Sequence, residues 1–462
     1  MGTNNSNIDL IKGDPKKAII KLGWPMMVSM FLITSYVLVD SIWIVGLGYN
    51  ALAALGFIYP LFMVFMGLGS GIGAGANSLI ARSIGASDKK TADNAALHAV
   101  VITIIISILV PILLLPFLKD ILIFMGAGDA VGPSLEYGYI VFGLVFTILF
   151  SSVGSAILRS EGDAKRSMNV IAITAIINII IDPIFIYTLD MGMTGAAIAT
   201  VLSSLVSCII IVYWIWVKKN TFLSLNLKSF KFNNFILKDI LKVAIPASSE
   251  NLILSFLGLV LNLMFVIVGG TIAVAVYTAG MRILILFMIP MIGLGVALLT
   301  VSGAAYGAHD YKKLEISFNY TIFLGLVISS ILSIIMFALA PEIAIIFTYT
   351  SSSADLTIQI TEALRFLSFF LLVLPLGIAP AMVFQGVGRG FTSLIITIFR
   401  SLIFEAIFAY IFGILFGWGV IGLYVGVIVG CGLGCVIGFI WAKLFIKSYK
   451  EDLIRKYGNV RK

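Results

Sequence analysis

Long apolar runs separated by short polar breaks dominate this chain. Reading each run of about 17 to 25 residues as one membrane-spanning helix places twelve of them, at 18–44, 51–80, 95–117, 134–158, 168–189, 194–217, 240–267, 273–300, 317–340, 360–385, 392–414 and 420–446. Their solvent is therefore lipid, and the pattern predicts an all-α membrane protein of about 12 transmembrane helices.

Composition agrees with this. Of the 462 residues, 60% are hydrophobic and 11% charged, with a mean hydropathy of +1.12. The net charge of +8 matters through its location. Every Lys and Arg except Lys119, Arg282, Arg365 and Arg400 lies at the N-terminus, in 82–94, 159–167, 218–242, 306–316 or 386–391, or in the tail from Lys443. Basic residues in short loops stay on the cytoplasmic side, so both termini are expected inside, in a multi-pass protein of the inner or plasma membrane. Bases placed this way report topology, and no nucleic-acid partner is expected. Lys12, Lys16, Lys17 and Lys21 precede an apolar stretch too long for a signal peptide, so the first segment is expected to remain as a helix. Cys208, Cys431 and Cys435 fall inside apolar runs and read as small core hydrophobes.

The pattern repeats. Trp24-Pro25 matches Ile245-Pro246, Gly67-Leu68-Gly69 recurs as Gly293-Leu294-Gly295, Gly85-Ala86-Ser87-Asp88 as Gly307-Ala308-His309-Asp310, and Gly192-Met193-Thr194-Gly195 as Gly419-Val420-Ile421-Gly422. The expected organisation is an N-lobe of helices 1–6 over 1–217, a cytoplasmic linker over 218–239 read as a solvated connector, a C-lobe of helices 7–12 over 240–446, and a basic tail over 447–462. Six is an even number, so the lobes share one orientation about an axis along the membrane normal. Two six-helix bundles around a central cleft suit alternating access.

Ionisable residues inside a membrane are costly and mark functional hypotheses. Asp40 lies late in helix 1, with Tyr36 and Val37 one turn earlier; Asn178 and Asp182 stack at i,i+4 on helix 5. Thr200 on helix 6 adds a hydroxyl. Oxygen donors of this kind suit hard cations, and two neighbouring carboxylates resist ionising together. Polar glue between helices is the alternative. Pro25 and Pro183 each remove a helical hydrogen bond, and a kink at Pro25 would couple Asp40 to movement of helix 1; a static packing bend is equally compatible. Glu250 sits four residues after Pro246, and Met30 with Met26 and Met27 offers either an adaptable lining or core filler. Arg282, Arg400 and Glu405 read as structural, and the five-residue spacing of the last two is poor for a pair on one α-helical face. Gly71, Gly73 and Gly75 lie in an apolar helix without the Lys-Ser/Thr ending of a phosphate loop, so close helix packing is expected. His98 and His309 stand alone. Neither a nucleotide-binding motif nor a nucleophile and base pair is present in the sequence, so gradient energy is expected and an enzyme is not.

Taken in order, Gly23-Trp24-Pro25, Tyr36, Val39-Asp40-Ser41-Ile42-Trp43, Leu158 to Arg166 (LRSEGDAKR), Asn178 with Asp182-Pro183, and Gly192 to Ala197 resemble the multidrug and toxic compound extrusion (MATE) family, and most closely its DinF-like prokaryotic and archaeal branch. Ile33 and Val37 depart from the polar amides of many members. The resemblance implies that Asp40, Asn178, Asp182 and Thr200 form an N-lobe proton or Na+ site. Tyr36, Met30 and Glu250 would line the substrate cleft, Glu250 matching a carboxylate of the NorM-like branch whose second acid is missing between Phe366 and Gln385. It further implies a monomeric secondary antiporter, without a cofactor, that exports amphipathic, cationic organic compounds in exchange for H+ or Na+ across the lipid bilayer. A lipid-linked precursor flippase and a non-transporting receptor or scaffold are the alternatives.

Overall fold

The computed structural model describes residues 2–348 and 356–458, apart from 219, 227 and 229; Lys219 of the linker and the last four residues of the tail lie outside the described residues. Among those described, every regular element is helical. Along the chain these are α1 (Gly2–Lys12), α2 (Pro15–Val45), α3 (Tyr49–Gly85), α4 (Lys89–Leu114), α5 (Leu118–Phe124), α6 (Val131–Gly143), α7 (Val145–Ser160), α8 (Ala164–Pro183), α9 (Gly192–Val212), α10 (Asn234–Gly307), α11 (Tyr311–Ala338), α12 (Ala340–Phe347), α13 (Thr357–Gly386), α14 (Gly390–Thr397), α15 (Ala406–Tyr410) and α16 (Gly419–Tyr457). Ten continuous helical runs among the described residues, one of them joining α14 and α15 through π-helical turns over Gly390–Leu415, are long and apolar enough to span a bilayer. One of them, the 74-residue α10, is two arms joined at Gly270, whose φ of 67° is not helical, and the bent pair ending in α6 and α7 supplies a further span. Counted this way the described residues supply twelve apolar stretches long enough to span a bilayer, the number expected.

One expected span has a different form. The stretch 134–158, read as a single helix, breaks at Leu144 (φ −109°, ψ 26°), and its two pieces diverge by 50°. Hydropathy is blind to a break between two equally apolar pieces.

The spans are built inside out relative to a soluble helix. On α4, Ile105, Ile108, Leu109 and Ile112 are exposed, whereas Ala95, Ala99, Thr103 and Ser107 are buried. Small residues let helices approach closely where lipid supplies no hydrophobic drive, and the two hydroxyls satisfy themselves by donating to the carbonyls of Ala99 and Thr103. Glycines act likewise on α3. A Cβ at Gly75 would lie 2.5 Å from the Ile240 carbonyl and one at Gly73 2.9 Å from Ala156 Cβ, while Gly71 would collide with Ser248. Packing explains this Gly run.

The chain forms two compact units, Met1–Gly13 with Val28–Ser248, and Asp14–Met27 with Ser249–Lys462. Each contains the opening arm of the other repeat's first helix. In the first unit α3 packs on that arm through Gly71 and Gly75; in the second, a Cβ at Gly293 would lie 2.8 Å from the backbone nitrogen of Met27.

Sequence landmarks shared by the repeats become shared backbone. Ser87 (φ 60°) and His309 (φ 55°) both adopt the left-handed conformation, which closes a helix C-terminus. The next residues, Asp88 and Asp310, cap α4 and α11 by accepting from the backbone N–H of Thr91 and Lys313. Gly195 and Gly422 each sit against a carbonyl, of Phe185 and Phe412 respectively, where a Cβ has no room.

The linker departs from the expected solvated connector. Thr221, Leu223 and Leu225 are buried, and the strap 220–233 is tied to the first unit by named bonds. Glu161 Oε2 accepts from Leu223 N at 3.1 Å, Asp93 Oδ1 accepts from Ser224 N at 2.8 Å, Arg166 Nη1 donates to the Asn220 carbonyl at 3.0 Å, and Asn94 Nδ2 donates to the Lys231 carbonyl at 2.9 Å. His98 accepts from Asn233 N through Nε2 and meets the Asn94 carbonyl through Nδ1, which fixes the neutral Nδ1-H tautomer. Leucines and phenylalanines alternating with polar residues over 220–233 were the signal that the charge-rich composition hid. The LRSEGDAKR loop organises this face: Glu161 and Arg166 hold the strap, and Asp163 caps α8. Gly162 takes a φ of 85° at a point where a Cβ would lie 2.6 Å from the Asn7 carbonyl of α1.

Candidate functional site

In the first unit three helices deliver the expected oxygen donors. The α8 spacing places Asn178 and Asp182 on one face, and Asn178 Nδ2 donates to Asp182 Oδ1 at 3.2 Å. Both side chains are buried, at 1% and 0% exposure. Asp40 of α2 is half-buried, and its carboxyl interacts directly with that of Asp182. No Lys or Arg among the described residues acts on either. Thr200 of α9 donates to the Ala196 carbonyl at 3.1 Å, which leaves its lone pairs for the hydroxyl of Tyr137.

Three buried oxygens in this cluster have no hydrogen-bond partner: Asp40 Oδ1, Asn178 Oδ1 and Asp182 Oδ2. Buried polar atoms are nearly always paired, and leaving one unpaired costs about 1–3 kcal/mol. Three together form an acceptor-only set that suits a proton or a hard cation.

Tyr36 and Tyr137 lie within the electrostatic reach of both carboxylates and of each other, and Tyr59 neighbours Tyr36. Tyr59 and Tyr137 were missed from sequence, because a tyrosine in an apolar run reads as an interfacial or core aromatic. Where α8 ends at Pro183, the chain widens into a π-turn over Ile184–Thr188. From it the Tyr187 hydroxyl donates to the Trp43 carbonyl of α2. That contact ties the end of α2 carrying Asp40 to the end of α8 carrying Asp182.

The remaining expected residues lie elsewhere. Met30 is half-buried and ten residues before Asp40, about 15 Å along α2. Pro25 is a buried residue within the continuous helix α2, in the stretch that belongs to the second unit. Glu250 also belongs to the second unit. Its Oε1 accepts from Ser393 Oγ at 2.6 Å, and its Oε2 accepts from Gln385 Nε2 at 3.1 Å. These two partners, on α14 and α13, were not singled out from sequence; isolated polar residues in apolar helices were the signal available. Arg400 and Glu405, expected to be poorly spaced for a pair on an α-helical face, lie on a different helical repeat. Residues 398–405 wind as a π-helix, whose repeat closes on i+5, so the five-residue spacing brings both onto one face.

Fold and site together define a polytopic helical membrane protein built from two six-helix repeats, with ionisable side chains buried in its lipid-embedded bundles. The family model MatE matches residues 25–184 and 246–411, and the chain belongs to this family of membrane transporters, the MATE family. The chain is 29% identical over 271 residues to the multidrug export protein MepA of Staphylococcus aureus, a match that spans 58% of this chain and 59% of MepA. It is 25% identical over 402 residues to a FAD transporter of Shewanella oneidensis, covering 84% and 86% of the two chains. Among solved structures, a MATE protein in complex with MaL6 aligns with a TM-score of 0.94 at 40% identity, covering 96% of this chain and 99% of that one. A MOP superfamily transporter from Pyrococcus furiosus aligns with a TM-score of 0.93 at 40% identity, covering 96% and 98%.

Proposed function

We propose that this chain is a secondary antiporter that exports amphipathic, cationic organic compounds in exchange for H+ or Na+ by alternating access. The observation that carries this reading is the set of three unpartnered oxygens on Asp40, Asn178 and Asp182. A proton or a Na+ ion shared there satisfies the acceptors and relieves repulsion between the carboxylates, and an organic cation that competes for the same charge couples the two fluxes. Asp40, Asn178, Asp182 and Thr200 hold the ion, Tyr36 and Tyr137 flank it, and Met30 lines the substrate path. The protein acts as a monomer in the cell membrane with both termini cytoplasmic. Multidrug export by a relative of related sequence supports the substrate class.

The test is transport in proteoliposomes under separately imposed pH and Na+ gradients, with a fluorescent organic cation as substrate. Efflux driven by one of the two gradients is expected. Efflux that ignores both, or translocation of a lipid-linked precursor in its place, overturns the reading. Orientation is checked separately: cysteines at Asn50, Asp129, Asp190 and Ser352, the last outside the described residues, should react with an impermeant reagent from outside, and cysteines at Ser87, Asp163 and Asn233 should not.

A further inference from the structure

The turns that the two repeats share have different neighbours. In the first unit the chain itself fills the space: Lys12 Nζ donates to Ser87 Oγ at 2.9 Å, and a Cβ at Gly162 would lie 3.0 Å from Cδ1 of the fully buried Ile11. In the second unit the matching turns, at His309 and at Gly388-Arg389, border a cavity of about 500 Å³ instead. Asp163 follows Gly162 where Arg389 follows Gly388, so an acid in the filled place corresponds to a cation in the open one.

The cavity has a fixed aromatic wall and a basic rim. Tyr449 of α16 stacks on Tyr306 of α10 with ring centroids 4.6 Å apart, and its hydroxyl donates to the Tyr306 carbonyl at 3.0 Å. His309 Nδ1 lies 3.2 Å from the same hydroxyl; the hydroxyl proton is spent on the carbonyl, so Nδ1 is the donor. The exposed Arg389 guanidinium lies 4.5 Å from the centroid of the Phe445 ring, and no carboxylate among the described residues is within ion-pair distance of it. A ring face holds a guanidinium in place without neutralising it. Lys456 adds a second positive charge to the lining and Asp452 a negative one, so the cations outnumber the acid.

One face of α16 changes character at this cavity. Leu433, Val436, Ile437, Ile440, Trp441 and Leu444 follow the three- and four-residue spacing of a single helical stripe and are 39–60% exposed. Ser448, Asp452 and Lys456 continue that stripe in polar form along the cavity. An exposed apolar stripe on a spanning helix suits acyl chains, and a Trp at the boundary with a basic end marks the level of the headgroups. The cavity therefore lies where a headgroup would, with an apolar track leading into it.

We propose that this cavity binds the phosphate headgroup of an acidic phospholipid, with Arg389 and Lys456 at the phosphate and the acyl chains along the stripe from Leu433 to Leu444. Basic pockets between spanning helices hold acidic headgroups, and a guanidinium matches two phosphate oxygens at once. The bilayer would then supply to the second unit the filling that α1 supplies to the first. The leaflet follows from the orientation proposed above, whereas binding depends neither on that orientation nor on the coupling role of Asp40 and Asp182.

The test titrates the purified full chain with phosphatidylglycerol or phosphatidylcholine and counts retained lipids by native mass spectrometry. One phosphatidylglycerol per chain should be retained at concentrations where phosphatidylcholine is not. Arg389→Gln should weaken this binding about tenfold, the scale of one hydrogen bond to a charged group. Asp452→Asn should strengthen it, and Lys165→Gln, which removes an exposed charge from a loop of the first unit, should leave it unchanged. Equal retention of the two lipids overturns the proposal, as does equal weakening by Arg389→Gln and Lys165→Gln, which would reduce the effect to general surface charge. A second readout leaves Arg389 in place. The native cysteines are buried, so an uncharged maleimide reports on Ser448→Cys, whose alkylation should be slower in vesicles of phosphatidylglycerol and phosphatidylcholine than in phosphatidylcholine alone; Ser87→Cys should show no such slowing. Lack of protection at Ser448→Cys, or equal protection at both positions, overturns the site even where Arg389→Gln fails to fold. Glycerol 3-phosphate in solution should not displace the lipid, and full displacement by it would make the occupant a free phosphate ester and overturn the lipid assignment.

Discussion

Asp40 and Asp182 in one unit and Glu250 in the other are carboxylates withdrawn wholly or partly from the surface of lipid-embedded bundles, yet their surroundings are opposite. The first pair has each other, one amide and no cation, and it leaves three oxygens without donors. Glu250 has two hydrogen-bond donors. A carboxylate satisfied by the protein gains little from an ion, whereas an unsatisfied pair needs one. Duplication therefore kept the backbone of the repeat and allowed the chemistry of its interior to diverge.

The largest effect is expected where the oxygens are unpaired. Asp40→Asn and Asp182→Asn keep side-chain shape and remove a titrating charge, so each should abolish gradient-driven efflux in proteoliposomes while leaving the purified protein folded. The double variant should be no worse than either single one, because either loss disables the same site. Gradient-driven transport by the double variant would break the comparison at its root.

A second effect asks whether the repeats are equal as scaffolds although unequal as sites. Gly195→Ala brings a Cβ to 2.6 Å from the Phe185 carbonyl, and Gly422→Ala drives one into the Phe412 carbonyl. Overpacking against backbone costs about 1–3 kcal/mol, so both variants should lose thermal stability and folded yield to a similar degree. Tolerance of one and collapse of the other, read by thermal unfolding of the purified variants, would show that the matched turns do not bear matched loads.

Much of this was legible beforehand, and the reasons differ by feature. The spans and the repeat are written in hydropathy and in Gly and Asp landmarks, because lipid demands apolar length and turns demand special backbone. The Asp40, Asn178, Asp182 and Thr200 set was visible because charge is rare in such helices. The break at Leu144 was not visible, since both pieces are equally apolar. Nor was the docking of Leu223 and Leu225, where two buried leucines sit among lysines. Tyr137, Gln385 and Ser393 were hidden because their roles depend on which helices become neighbours, and single-helix periodicity carries no such information. The π-turn at 398–405 likewise changes which residues share a face.

A smaller effect is expected at Glu250. Glu250→Gln keeps an oxygen that accepts from Ser393 and removes a charge that two neutral donors already solvate, so it alters a hydrogen-bonded contact worth about 1 kcal/mol. Transport should fall by about tenfold at most, and its ion dependence, measured under the same two gradients, should be unchanged. Loss of ion dependence here would mean that both repeats couple.

The smallest effect lies at a turn that both repeats share. Gly162 (φ 85°) and Gly388 (φ 83°) shape the same turn, but the residue before each differs: Glu161, 3% exposed, in the first unit, and Val387, 4% exposed, in the second. Burial beneath the strap pushes the Glu161 carboxyl up to about 8, with the nearby Asp163 adding to the rise and the N–H groups of Leu223 and Phe222 and the charge of Arg166 opposing it. Because the docked-state value lies above the ordinary value of 4.5, docking is favoured by the protonated form. That contribution is fully present below about 4.5 and is lost progressively as pH rises towards about 8. Hydrogen exchange at the Leu223 amide, corrected for its intrinsic pH dependence, should therefore report a strap that opens more readily at pH 8 than at pH 5. Glu161→Gln should remove the difference by keeping an uncharged acceptor at every pH, while exchange at the Arg389 amide, which donates to the Phe384 carbonyl in the matching turn, should show no such dependence. A strap whose protection is the same at both pH values in the native protein would leave Glu161 as a plain structural acceptor, and the two turns would then differ in sequence without differing in behaviour.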